Sequence, residues 1–248
     1  MKHLLIALAL ALPGMAMAAG GGGTAYKFDP DLGNEPSLQR GAAAFMNYCS
    51  GCHSMGLLRY NRLAADLGIP EDLLQENLMF TSDKVGAQIN SAMIPASAKW
   101  FGKQPPDLTL TARARGDDWV YSFLKTFYVE EGRPNGVNNL TLPGASMPHV
   151  LGGLQGWQKL KPAEEGEEHA EAGGHGASHA PEFEVLEEGV LSAKEYDGLV
   201  ADITNFMVYA AEPVKIKRKE IGTLVILYLM LFTFVAYLLK REFWKDVH

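Results

Sequence analysis

The chain has 248 residues, 47% apolar and 21% charged, with 22 Lys and Arg against 29 Asp and Glu. This length holds one or two domains, and the net charge of −7 argues against nucleic acid, whose binding rests on attraction to phosphates. With only two cysteines, an all-cysteine zinc site and a four-cysteine iron–sulfur cluster are excluded.

Met1 to Ala18 reads as a secretory signal: Lys2 and His3 start it, Leu4 to Leu12 are apolar, and Ala16-Met17-Ala18 offers small residues before a cut. The mature chain is expected to begin near Ala19, with Gly20 to Gly23 as a flexible lead. Between Thr24 and Glu212 there are 14 Lys and Arg against 26 Asp and Glu, so the exported part is more acidic than the whole chain and suits basic partners through electrostatic steering.

Ser37 is placed to cap a helix in which Leu38, Ala42, Phe45, Met46 and Cys49 share one face. That helix leads into Cys49-Ser50-Gly51-Cys52-His53. A C-x-x-C-H run is the attachment site of a c-type haem: Cys49 and Cys52 add to the vinyl groups, and His53 is fixed beneath the iron as proximal ligand. Both cysteines are then used, which leaves none for a structural disulfide. A thioredoxin-like redox pair is the alternative, but the βαβ context it needs is missing around residues 37 to 60.

The second ring nitrogen of His53 needs an orienting partner, and a backbone carbonyl of Pro105-Pro106 is suited to it. Anionic haem propionates need donors at the pocket edge, for which Arg113 and Arg115 are candidates. Trp100 and Trp119 could line the ring. Asp117 is placed to cap a helix with Val120, Phe123, Leu124 and Phe127 at helical spacing, ended by Gly132-Arg133-Pro134-Asn135-Gly136.

A sixth iron ligand must come from Met or His, and a thioether favours the ferrous state more than a second imidazole does. Met147, in Gly144-Ala145-Ser146-Met147-Pro148-His149, is the choice, with Met93 and then His149 as competitors. Met46 and Met207 lie on apolar helix faces and read as core. Lys161 to Pro181 is a low-complexity acidic and His-rich insertion, and its His169, His175 and His179 lack regular ligand spacing. Ser192 with Glu195 forms a capping box for a helix burying Tyr196, Leu199, Val200, Ile203, Phe206, Met207 and Ala210. Pro213 interrupts it.

Ile221 to Leu239 carries no charge over 19 positions, and at about 1.5 Å per residue such a helix approaches the ~30 Å hydrocarbon core. It reads as one membrane span between a basic linker over 213–220 and a tail over 240–248. Four basic residues (Lys215, Lys217, Arg218, Lys219) precede the span and three (Lys240, Arg241, Lys245) follow it, a count that opposes a cytoplasmic C-terminus. A cleaved signal nonetheless exports the domain at 19–212, and a single later span then leaves the tail inside. The upstream cluster is suited to lipid phosphates or partner subunits. Strand signals are sparse, so the fold class is mainly α: a cytochrome c-like monohaem domain with long loop insertions and a C-terminal transmembrane helix.

In order along the chain, Arg40-Gly41, Cys49-Ser50-Gly51-Cys52-His53, Pro105-Pro106-Asp107-Leu108, Arg113-Ala114-Arg115-Gly116, Met147-Pro148 and Ala210-Ala211-Glu212-Pro213 before a single span resemble the cytochrome c1 family of the cytochrome bc1 complex, in its bacterial form. The resemblance runs from Tyr26 to the C-terminus. It implies one covalent haem c on Cys49 and Cys52, His53 and Met147 as axial ligands, and Arg115 near a propionate. It implies cytochrome b, the Rieske iron–sulfur protein as donor and a cytochrome c as acceptor, within a dimeric ubiquinol–cytochrome c reductase of the bacterial inner membrane, the haem domain in the periplasm. An anchored cytochrome feeding a terminal oxidase and an exported thiol–disulfide oxidoreductase are the rival functions.

Overall fold

The computed structural model describes residues 24–161 and 181–245; the expected signal segment and the interior of the insertion, with its three histidines, lie outside the described residues. In chain order the elements are α1 (Glu35–Tyr48), β1 (Met55–Arg59), α2 (Tyr60–Asp66), α3 (Glu71–Asn77), β2 (Gln88–Ile89), a 3-10 turn (Pro95–Ser97) and α4 (Ala98–Phe101). There follow α5 (Thr111–Arg115), α6 (Asp117–Lys125), β3 (Phe127–Val129), β4 (Val137–Asn139), α7 (Gly152–Gln155), β5 (Gly156–Leu160), β6 (Phe183–Glu188), α8 (Ala193–Ala211) and α9 (Lys215–Phe243). The strands make three separate antiparallel pairs, β1 with β2, β3 with β4 and β5 with β6. Helices therefore carry the architecture, as the scarcity of alternating sequence predicted.

Helix α1 begins three residues before its expected start, with its cap at Asn34 in place of Ser37. Asn34 caps it by accepting the Ser37 amide at 3.2 Å, and Pro36 suits the first turn, where its missing N–H costs nothing. Ser37 serves another purpose: its hydroxyl donates to Asp202 on α8 at 2.6 Å. The predicted apolar face of Leu38, Ala42, Phe45 and Met46 is buried. Helix α8 starts at the predicted capping box, with the Glu195 amide donating to Ser192 Oγ and the Ser192 amide to Glu195 Oε2. Its Tyr196, Val200, Ile203, Phe206 and Met207 are buried, and Leu199 packs at the edge.

These two helices cross closely because Gly41 has no side chain: a Cβ there would lie 2.0 Å from the Asp202 carbonyl oxygen and 2.8 Å from Phe206 Cβ. Beside the crossing, Phe45 and Phe206 meet with ring centroids 5.7 Å apart, and Arg40 forks onto Asp202 through bonds of 2.6 and 2.9 Å. The crossing fixes the end of α1, and so fixes where the C-x-x-C-H loop emerges.

At the other end, α8 stops before Glu212-Pro213, and α9 takes over at Lys215. The basic stretch expected as a linker is thus the opening of the membrane helix, consistent with the good helix propensity of Lys and Arg. Among the described residues α9 is the one helix long and apolar enough to cross a membrane, and none of its residues is buried. Glu212 ties the junction together: Arg218 donates to it at 3.1 and 3.4 Å, and Arg113 from α5 approaches to 3.7 Å.

Candidate functional site

The end of α1 places Cys49 and His53 through a tight turn, in which the amides of Cys52 and His53 both donate to the Cys49 carbonyl, at 3.0 and 2.8 Å. Cys49 and His53 are buried and Cys52 is partly exposed; the two thiols are not bonded to each other. Burial, with a smaller contribution from Cys52, pushes the Cys49 thiol up to about 12. A thiol–disulfide catalyst needs the opposite, a thiolate stabilised near neutral pH.

His53 Nδ1 lies 2.8 Å from the Pro106 carbonyl oxygen. With Nδ1–H donating there, Nε2 is left as the free nitrogen. Burial lowers the pKa of this imidazole, outweighing the opposing effects of the Pro106 contact and the nearby Asp107, and so favours the neutral form that a metal needs. The Pro106 carbonyl is itself fixed. Asp107 accepts from the Gly56 amide at 2.7 Å and from the Thr109 amide and hydroxyl at 2.8 and 2.6 Å, while the Leu108 amide donates to the Ser54 carbonyl at 2.8 Å. The segment after Pro106 is thereby strapped along the segment after His53.

Above this loop lies a cavity of about 420 Å³ whose lining includes Cys49, His53, Pro106, Arg115, Trp119 and Met147. A smaller annex of about 80 Å³ adds Cys52 and Pro148. Apolar walls come from Leu108, Val120, Phe123, Leu124, Ile203 and Met207. Arg115 stands exposed at the rim with its guanidinium carbon 5.3 Å from the Trp119 ring centroid, and Trp119 stacks on Phe123 at 5.2 Å. Lys103 is a second cation on the lining, and it sits in no recognisable sequence motif.

The other sequence candidates fall elsewhere. Arg113 is not part of the lining and approaches Glu212 to 3.7 Å. Neighbours two apart on a helix point about 200° apart, so α5 presents the two arginines on different faces. Trp100 is 64% exposed and lines neither space. Met93 lines neither, whereas Met207 contributes to the wall as a buried core residue. His149 turns away from the cavity. Its ring stacks on Phe127 at 4.8 Å and meets Trp157 edge-on at 5.8 Å, and burial lowers its pKa to about 4.

The donor set fits a covalently attached haem. Two thiols are separated by two residues, an imidazole has its outer nitrogen already tied, a thioether shares the same cavity, and apolar walls with a cationic rim suit a flat macrocycle bearing two carboxylates. An N-terminal helix entering C-x-x-C-H, packed against a C-terminal helix with a methionine loop between, defines a membrane-anchored c-type cytochrome.

Comparison with known proteins narrows this class. The family model described as the Cytochrome C1 family matches residues 187–247. Across its full length the chain is 49% identical to the whole of cytochrome c1 from Allochromatium vinosum. It is 30% identical to cytochrome c1 of Rhodospirillum rubrum, covering 99% of this chain and 97% of that protein. It is also 40% identical to a protein of Nitrosomonas europaea named ammonia monooxygenase gamma subunit, over all of this chain and 98% of the other. The chain belongs to the cytochrome c1 family, whose members carry covalently bound haem c and serve electron transport.

Proposed function

We propose that this chain is the haem c subunit of a bacterial ubiquinol–cytochrome c reductase, taking single electrons from the Rieske iron–sulfur protein and passing them to a cytochrome c. The observation that carries the reading is one cavity lined by Cys49, His53, Pro106, Arg115 and Met147. When bound, haem supplies the one-electron couple; the chain supplies attachment, ligation and a dry apolar surround. Cys49 and Cys52 would hold the group covalently, and His53 and Met147 would supply the nitrogen and the sulfur that bind its iron. The Pro106 carbonyl keeps the His53 proton on Nδ1. Arg115 serves a propionate at the rim.

Helix α9 anchors the subunit in the inner membrane beside cytochrome b, in a dimeric complex, with the haem domain in the periplasm and the C-terminus in the cytoplasm. The acidic exported domain favours a basic acceptor, whose encounter it accelerates by steering.

The test is affinity purification from membranes followed by quinol addition. A dihaem cytochrome b should co-purify, and haem c should become reduced only while the iron–sulfur protein is present. Reduction that survives removal of the iron–sulfur protein, or isolation with a terminal oxidase in place of cytochrome b, would overturn this assignment.

A further inference from the structure

The loop carrying Met147 has no regular secondary structure, so its backbone polar groups need partners other than helix or strand bonds. One bond is internal, from the Ala145 amide to the Leu142 carbonyl at 3.1 Å, and several others run to side chains of the β3–β4 hairpin. Asn139 Oδ1 accepts from the Thr141 and Leu142 amides, both at 3.0 Å, and Asn138 Oδ1 accepts from the Gly144 amide at 2.8 Å. Arg133 Nη2 donates to the Ala145 carbonyl at 3.4 Å. Last in this series, Asn135 Nδ2 donates to the Met147 carbonyl at 3.1 Å and to the Ser146 carbonyl at 3.5 Å. Among the described residues no other hydrogen bond reaches the Met147 backbone.

Asn135 is itself held in place. Its Oδ1 accepts from the Val137 amide at 3.4 Å, the next residue is a glycine with φ +71°, and the turn is closed by Gly136 N to Arg133 O and Glu130 N to Gly136 O, both at 3.0 Å. The Gly132–Gly136 stretch, read from sequence only as a helix breaker, is therefore a rigid turn whose one side-chain amide reaches the methionine loop.

We propose that Asn135 is a positioning residue for the Met147 thioether, a role that rests on Met147 being the sixth ligand of the haem iron. Methionine has an unbranched, flexible side chain, so keeping its sulfur at one point in the cavity requires that its backbone be fixed first. The Asn135 amide does this. Without it the Ser146 and Met147 carbonyls turn to water, the loop gains freedom, and the sulfur leaves the ligand position for part of the time. The iron position it vacates becomes open to external ligands.

The experiment uses the full-length, haem-loaded protein with Asn135→Ala, Asn135→Asp and Met147→Leu. Asn135→Asp keeps the acceptor for Val137, and so the turn, but sets a carboxylate oxygen against two carbonyl oxygens; it decides the matter if the alanine variant does not accumulate. Both Asn135 variants are expected to retain covalent haem, to lose much of the weak far-red sulfur-to-iron absorption of the oxidised protein, and to bind carbon monoxide when reduced, whereas the wild type is expected to exclude it. Their midpoint potentials should fall toward that of Met147→Leu. Wild-type absorption, wild-type potential and exclusion of carbon monoxide in the Asn135 variants, alongside loss of the band in Met147→Leu, would overturn the positioning role, even if melting temperature drops. Retention of the band in Met147→Leu would instead overturn the ligand assignment beneath it.

Discussion

His53 Nδ1 and the Pro106 carbonyl oxygen stand 2.8 Å apart, across 53 residues of chain that the Asp107 carboxylate pins together through Gly56 and Thr109. The bond settles which imidazole nitrogen faces the cavity, and the carboxylate keeps the carbonyl where the bond requires it. Gly56 belongs to the same arrangement, since a Cβ there would come to 3.0 Å from Asp107 Oδ2.

Asp107→Ala removes an acceptor of three hydrogen bonds. Haem attachment, which depends on the cysteines, should persist, while the folded haem protein loses about 2 kcal/mol, reflecting bonds to a charged but partly solvated group. Guanidinium unfolding of the purified protein measures the loss. An unchanged midpoint would mean that the strap is held by packing alone.

Met147→Leu replaces a thioether with a hydrocarbon of similar size. Covalent haem should remain, the far-red absorption should vanish, and the potential should fall, because the ferrous iron loses the ligand that favours it. Met93→Leu serves as the control and should behave as wild type, since Met93 lines neither part of the cavity. The reverse pattern would move the ligand to Met93.

Gly41→Ala forces a methyl group to within 2.0 Å of the Asp202 carbonyl oxygen. Backbone cannot yield as a flexible side chain does, so α1 and α8 must move apart. A loss of about 2 to 3 kcal/mol is expected from overpacking, together with reduced haem content as the C-x-x-C-H turn shifts. Haem-to-protein ratio and thermal melting of the purified variant report both effects.

The pattern of what could be read in advance has a physical basis. The C-x-x-C-H run of Cys49, Cys52 and His53 stands out because it is written in five contiguous residues, and the α8 capping box because it is local, whereas only the fold brings Met147, and not Met93, onto the same cavity. The Asn34 cap was missed since Ser37 satisfies the same rule three residues later, and only tertiary structure shows its hydroxyl engaged by Asp202. Arg113 looked equivalent to Arg115 until α5 turned them to different faces. The Asn135 contact joins a hairpin turn to a loop 12 residues on, and no local spacing encodes it.

Ser192 and Glu195 give a pH signature. Hydrogen bonds from the Ser192 hydroxyl and then its amide hold the Glu195 carboxyl below its ordinary range. Because the folded value lies below the unfolded one, the stabilisation is complete above the unfolded value and disappears as pH falls through the folded value. Ser192→Ala should therefore lower stability at neutral pH and flatten its decline in the acid range. Parallel wild-type and variant curves from neutral to acid pH would rule out a contribution from the box.

The most direct test of a haem joined to Cys49 and Cys52 is the reduced-minus-oxidised spectrum of the purified chain after acid–acetone extraction. The haem c band should stay with the wild-type polypeptide and be absent from Cys49→Ser/Cys52→Ser. Haem that washes into the solvent from the wild-type chain, or a band that persists in the double variant, would contradict it.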